Sequence, residues 1–145
     1  MSVEENKALV RRRFEEFATV RSSLSEVFAW CEKDFAPEYI NHLPSKDVNR
    51  QDTIRGWEMW LSGFSDMKMI IHDMVAENDR VVVRLTFYGK HSGEFMGIPA
   101  TGKSIEMNDI AIYRIAGGKI AEVWDYGDEL GLMTQLGVTI NTPKK

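Results

Sequence analysis

Cysteine is nearly absent from the chain. Cys31 is the only one among 145 residues, which excludes an internal disulfide framework and a multi-cysteine metal site. The three histidines, His42, His72 and His91, lack ligand spacing such as two His four apart on a helix, so no metal centre is expected. No apolar run approaches the ~20 residues that span a bilayer. No charged, apolar, small-residue leader opens the chain, and the expectation is a cytoplasmic protein with no membrane contact. Surplus basic charge is missing too: 18 Lys and Arg against 22 Asp and Glu give a net charge of −4, which argues against a nucleic-acid partner. The one basic run, Arg11-Arg12-Arg13, is expected on the solvated edge of a helix. There is no G-x-S-x-G elbow for a nucleophile, and Cys31 reads as a small core residue. Gly93, Gly97 and Gly102 lack the strand-to-helix context of a dinucleotide fingerprint. At 43% hydrophobic and 28% charged, what remains is an ordinary globular chain able to bury a core as one domain over residues 1–145.

Composition shifts along the chain. Nine of the eleven glycines lie between Gly89 and Gly137 and three of the four tryptophans precede residue 61, which separates a helical first part from strands and turns. Val10, Phe14, Phe17 and Ala18 predict a helix over 3–20 with one apolar stripe. Ser23 with Glu26 has capping-box spacing, ahead of a second helix with Leu24, Val27, Phe28, Cys31 and Phe35 inward and closed by Pro37. Residues 36–49 are Pro-broken and polar and predict a loop or short strand. Ile54, Trp57, Leu61 and Phe64 predict a third helix that starts after Asn49 and ends near Ser65-Asp66. Thereafter the period becomes two. Strands are expected over 67–75 and 80–88, joined by a Glu77-Asn78-Asp79 turn, then a bent, bulged segment over 89–103. Strands over 104–115 and 119–126 follow, and Asp128 caps a short helix stopped by Gly137. Helices followed by consecutive antiparallel strands make an α+β fold, a curved sheet wrapped around helices.

Two carboxylates stand out. Asp109 interrupts an apolar strand, and Asp125 lies between Trp124 and Tyr126. A carboxylate in such a strand either faces water or needs a partner and a raised pKa. With a three-residue Ala116-Gly117-Gly118 loop, opposed residue numbers sum to 234 and Asp109 opposes Asp125 directly. One face then carries Asp109, Ala111, Tyr113, Ala121, Val123 and Asp125, and the other Ile110, Ile112, Arg114, Glu122 and Trp124. Two opposed carboxylates repel, one keeps its proton near neutrality, and the pair suits general acid/base work. A two-residue loop would set them on opposite faces.

Four stretches, DMKMIIHDMVAENDRVVVR (66–84), YGKHSGEFMGIPATGK (88–103), IYRIAGGKIAEVWDY (112–126) and DELGLMTQLG (128–137), carry a resemblance. The chain resembles the SnoaL-like polyketide cyclases, within the nuclear-transport-factor and ketosteroid-isomerase superfamily of cone-shaped α+β barrels. The resemblance implies N-terminal helices packed in a curved, mainly antiparallel sheet around a deep apolar pocket, with catalysis needing neither cofactor nor metal. It also implies a small hydrophobic, polyketide- or terpenoid-like carbonyl compound as ligand. Asp125 matches the family's acid/base for an aldol-type ring closure, and Asn41 matches a pocket Asn. Asp109 and Ala111 occupy positions where the family commonly has Gln and His. Around the pocket, Trp57, Trp60, Phe64, Met96 and Met107 are candidate apolar walls, with Tyr113 on the same face as the carboxylates. His42, beside Asn41, is a candidate alternative base at the pocket mouth. His91 belongs to the glycine-flanked motif, and His72 is expected on the outer face.

Three functions stay open on these residues. The first is a cofactor-free polyketide-cyclase-like enzyme. The second is ketosteroid-type isomerisation or epoxide hydrolysis in the same cone, for which Arg84 is the candidate centre of an Asp–Arg–Asp relay. The third is a non-catalytic small-molecule-binding module. The apolar face of Ile110, Ile112 and Trp124 predicts a homodimer or homotetramer.

Overall fold

The computed structural model describes residues 1–20 and 23–143. Helix α1 spans Val3–Val20 and α2 spans Leu24–Asp34, whose N-cap Ser23 accepts from the Glu26 N–H. Ser22 lies outside the described residues. Strand β1 covers Phe35–His42, so α2 ends before Pro37, and β2 covers Asp47–Asn49. Asn49 caps α3, Arg50–Gly63, by accepting from the Asp52 N–H. The long strands follow: β3 Phe64–Glu77, β4 Arg80–His91, β5 Ser104–Ala116 and β6 Lys119–Gly127. Helix α4, Glu129–Gln135, closes the order, with Asp128 as N-cap and Gly137 at a positive φ just beyond it.

The six strands form one curved mixed sheet in the order β2-β1-β6-β5-β4-β3. All neighbours run antiparallel except β1 and β6, which are parallel. The sheet does not close on itself, since β2 and β3 remain edges. The helices line its concave face: α1 lies against β3 and β4, and α3 against β1.

Aromatic side chains fill the concavity. Trp60 contacts Phe64, Phe87 and Phe95 at centroid separations of 5.1, 4.9 and 4.8 Å, and Trp57 packs against Phe17 and Trp30 at 5.3 and 5.6 Å. Two expectations on α1 fail. Ala18 is exposed, and Arg13 of the basic run is 4% exposed. Position 13 stands three residues after Val10 and four before Phe17, on the buried stripe itself. Its guanidinium lies 3.5 Å from the Trp30 ring centroid and 4.3 Å from that of Phe35, donates to the Trp30 carbonyl and faces Asp34 at 3.5 Å. Stacking and pairing compensate the desolvation of that charge.

The 92–103 segment returns against the end of α3. A Cβ at Gly93 would lie 2.1 Å from the Ser62 carbonyl oxygen, an approach open only to glycine. Phe95 and Ile98 exchange backbone hydrogen bonds around Met96 and Gly97, both at positive φ. Two clefts open elsewhere: one of about 450 Å³ lined by Leu61, Phe64 and Met67, and one of about 260 Å³ beneath Asn6 and Gly118. Neither is lined by Asp109 or Asp125, so the deep pocket expected at the carboxylates is not one of these two.

Candidate active site

The β5–β6 hairpin decides where the carboxylates point, and its register differs from the expected one. Ala116 pairs with Lys119 around a two-residue Gly117-Gly118 turn, both glycines at positive φ. That turn alone would separate the carboxylates. A bulge restores the parity: Ile115 pairs with Ile120 but Arg114 with Glu122, which leaves Ala121 as the extra residue. From Arg114 on, opposed numbers sum to 236, because Ala111 pairs with Asp125 and Asp109 with Gly127. The two carboxylates therefore share the inner face as diagonal neighbours rather than as a directly opposed pair. One extra residue flips every side chain beyond it.

Three rungs cross this inner face. Ile71, Leu85, Asp109 and Gly127 form one, and Met74, Val83, Ala111 and Asp125 the next. The third runs through Ala76, Val81, Tyr113, Val123 and Asn41. Asp125 thus faces Ala111 directly, Asp109 diagonally, and Asn41 and Tyr113 one rung away. The carboxyls of Asp109 and Asp125 are close enough for each to act on the other's proton. The Oδ1 atoms of both are buried and take no hydrogen bond from any described residue, as is true of Asn41 Oδ1.

Burial dominates the electrostatics. It pushes Asp125 well above the ordinary carboxylate range, and the charge of Asp109 and the hydrogen bond shared with it act the same way. Burial raises Asp109 as well, while the hydrogen bond from Asp125 opposes that rise. The pair thus favours one shared proton, held mainly on Asp125, and titrates as a unit. Tyr113 and Tyr39 are both raised chiefly by burial, with the nearby Asp125 charge adding to it.

The remaining candidates are dispersed. His42 lies on the outer face, stacked on Trp124 at 5.0 Å and bridging Asp47 and Glu122. Those two carboxylates, Glu122 first, raise its pKa, and the sheet separates it from Asp125. Trp57 and Trp60 line the interior as parts of two aromatic clusters. Met96 is 64% exposed at a turn tip. His91 is fully buried, and its Nδ1 accepts from the Thr101 N–H at 3.2 Å while the chain around it bonds to Lys103 and Gly102. It clamps the 92–103 segment. His72 is exposed and bonds Thr86 on the outer face, as expected. Arg84 pairs with Asp73 on that same face, away from both carboxylates. Sequence reasoning missed Gly127, the cross-strand partner of Asp109; a glycine inside a strand was the available signal. Among the described residues no three His, Cys, Asp or Glu gather as metal ligands, and no helix is long and apolar enough to cross a membrane.

Known proteins bear on this geometry. The family model for SnoaL-like polyketide cyclase matches residues 8–136. An aklanonic acid methyl ester cyclase of Streptomyces peucetius is 31% identical over 138 residues, 94% of this chain and 93% of that protein. Among solved structures, AclR of Streptomyces galilaeus, a putative hydroxylase, superposes with a TM-score of 0.83 at 29% identity, covering 99% of this chain and 87% of that one. IdmH of Streptomyces antibioticus, a putative polyketide cyclase, gives 0.75 at 28% identity over 92% and 99%. Matched along nearly its whole length by sequence and by backbone, the chain belongs to the SnoaL-like polyketide cyclase family.

Proposed function

We infer that this protein is a polyketide-cyclase-like enzyme in which Asp125 and Asp109 carry general acid/base chemistry on a small hydrophobic carbonyl compound. The single observation behind this is the half-buried carboxyl pair on the inner face, in a chain whose relatives include aklanonic acid methyl ester cyclases. Asp109, Tyr113 and Asp125 keep accessible surface although they sit on the inner face, which supports a hollow for the ligand between them. Trp57 and Trp60 are half-buried in the same way and form apolar walls for it.

In an aldol-type closure the ionised carboxylate of the pair withdraws a proton from a carbon acidified by neighbouring carbonyls. The carbanion attacks a second carbonyl carbon of the same molecule, and the protonated carboxyl delivers its proton to the resulting alkoxide. A C–H bond and the π bond of the attacked carbonyl are lost, C–C and O–H bonds form, and the pair ends with the single proton it began with. No net acid, base or cofactor is consumed. The Tyr113 hydroxyl and the Asn41 amide are placed one rung away as hydrogen-bond donors to the developing enolate. The aromatic walls hold the chain folded, which supplies the proximity contribution.

The pair needs one proton, so the pH profile of turnover is bell-shaped. Activity falls when both carboxyls are protonated and again when both ionise. The test is turnover of aromatic polyketide methyl esters by wild type, Asp125→Asn and Asp109→Asn. Equal rates in all three would refute the assignment. The outer face, with Ile110 and Tyr126 at 50% and 56% exposure, is proposed to bury itself against a second copy of the chain.

A further inference from the structure

Gly127 is the one residue of the site with no side chain, and its backbone does not account for it. Five glycines take positive φ: Gly97, Gly102, Gly117, Gly118 and Gly137. Gly127 is not among them, so any L-residue could adopt its conformation. Glycine inside a strand is otherwise unfavourable and marks either a bulge or a close approach. The bulge of this hairpin is at Ala121, six residues away, which leaves the close approach. A Cβ built on Gly127 would lie 3.2 Å from Asp109 Oδ2, 3.2 Å from Met107 Cε and 3.3 Å from Met107 Sδ. The Asp109 carboxylate therefore lies over bare backbone. Asp109 and Gly127 are cross-strand partners, and Asp125 is two residues back along the same strand. To reach Asp125, the Asp109 side chain must lean along β6 across the space that a residue at 127 would fill.

We propose that Gly127 is a positioning residue: the empty space over its Cα is the seat that sets the Asp109 carboxylate against Asp125. A methyl group there would stand 3.2 Å from Asp109 Oδ2, so the carboxylate has to move off its seat and away from Asp125. This rests on the carboxyl-pair assignment made above, and it adds the residue that holds the pair together. Met107 contributes the other wall of the seat. Its flexible thioether can yield to a methyl group, whereas the short Asp109 side chain is fixed by its place in the ladder opposite Gly127.

The experiment follows the side-chain carboxyl resonances of Asp109 and Asp125 by NMR titration in the full-length wild type, Gly127→Ala, Asp109→Asn and the double variant. Glu129, which also acts on Asp125, and Tyr113 and Tyr39, which feel its charge, are unaltered in all four. Gly127→Ala is expected to draw the two titration steps together and to lower that of Asp125 by about one pH unit, the separation that marks interacting sites. In the Asp109→Asn background the same substitution should leave Asp125 unmoved, because the effect passes through Asp109. If the methyl group prevents folding, Gly127→Ala combined with Met107→Leu removes the Cε contact and keeps the comparison. A folded Gly127→Ala protein with wild-type titration overturns the seat. So does a shift that persists without Asp109, since it would arise from general loosening. If Asp109→Asn itself leaves Asp125 unchanged, the pair is not coupled, and both the pair and its seat fall.

Discussion

Asp125 meets Ala111 across the ladder and Asp109 diagonally, with Glu129 adding further negative charge. Removing a carboxylate from water favours its proton, and a like charge beside it acts in the same direction. Above the ~3.9 at which an unfolded Asp releases its proton, the folded chain holds a proton that the unfolded chain has lost. Stability then falls as pH rises, until the folded group ionises too. Asp125→Asn cannot ionise, so its melting temperature should decline less between about pH 4 and pH 9 than that of the wild type. Parallel melting curves would mean that Asp125 ionises freely in the folded protein. The same substitution should lower turnover by ~10²–10⁴-fold, the usual scale of an acid/base residue. His42 shifts in the same direction for the opposite reason. Glu122 and Asp47 accept from its ring and favour the cation, so any stability it adds is present below about 6.5 and lost as pH rises through its raised folded value. Its imidazole titration should move down in Glu122→Gln. An unmoved midpoint would assign the shift to Asp47 alone.

At the scale of elements, one side chain of α4 hydrogen-bonds the helix to β5. Where β6 ends, the Gln135 amide takes its place beside β5: Nε2 donates to the Glu106 carbonyl at 2.7 Å and Oε1 accepts from the Glu106 N–H at 2.9 Å. Leu132 and Leu136 are buried beneath it. Gln135→Ala is expected to cost about 1 kcal/mol and about 3 °C of melting temperature, with faster exchange of the Glu106 amide as the local signature. Unchanged exchange would show that Leu132 and Leu136 suffice to hold the helix. The strand pattern and the Asp128 cap were legible in the sequence, because alternation and capping are local. The Ala121 bulge was not. Nothing in Lys119-Ile120-Ala121-Glu122 marks it; at the bulge two consecutive residues, Ile120 and Ala121, are both buried, and β6 is laddered to β1 on either side.

For the whole molecule, the curved sheet has two unlike faces. The inner one buries Val81, Val83, Leu85 and Phe87 against the helices, and truncating Phe95 in that aromatic cluster should cost ~3–5 kcal/mol. The outer one presents apolar rows: Val75, Val82, Ile112 and Trp124, and beside it Ile110 and Tyr126 next to Arg84. Ile70, Val75, Ile110 and Tyr126 are exposed at 43%, 61%, 50% and 56%. A two-fold contact over this surface would bury each patch against its own copy. Light scattering at micromolar concentration is expected to give twice the chain mass or a higher even multiple for wild type. Ile110→Lys should shift it toward the monomer, and a monomeric wild type would count against the contact.

Some properties follow from the chain's order alone. The helical first part, the two-residue period after residue 66, the caps at Ser23, Asn49 and Asp128 and the oddity of Asp in apolar strands all rest on interactions within a few residues. Those interactions are the same in any tertiary setting. The family likeness is also carried by the sequence. Which face Asp125 shares, and with whom, is another matter. A two-residue turn by itself would send Asp109 and Asp125 to opposite faces, and one unpaired residue at Ala121 sends them to the same one. The burial of Arg13 between Trp30 and Phe35, the removal of His42 to the outer face and the space over Gly127 likewise depend on neighbours far away in the chain. Side-chain direction in a ladder inverts with every one-residue slip, so local pattern names the strands while long-range packing sets the parity that makes a site.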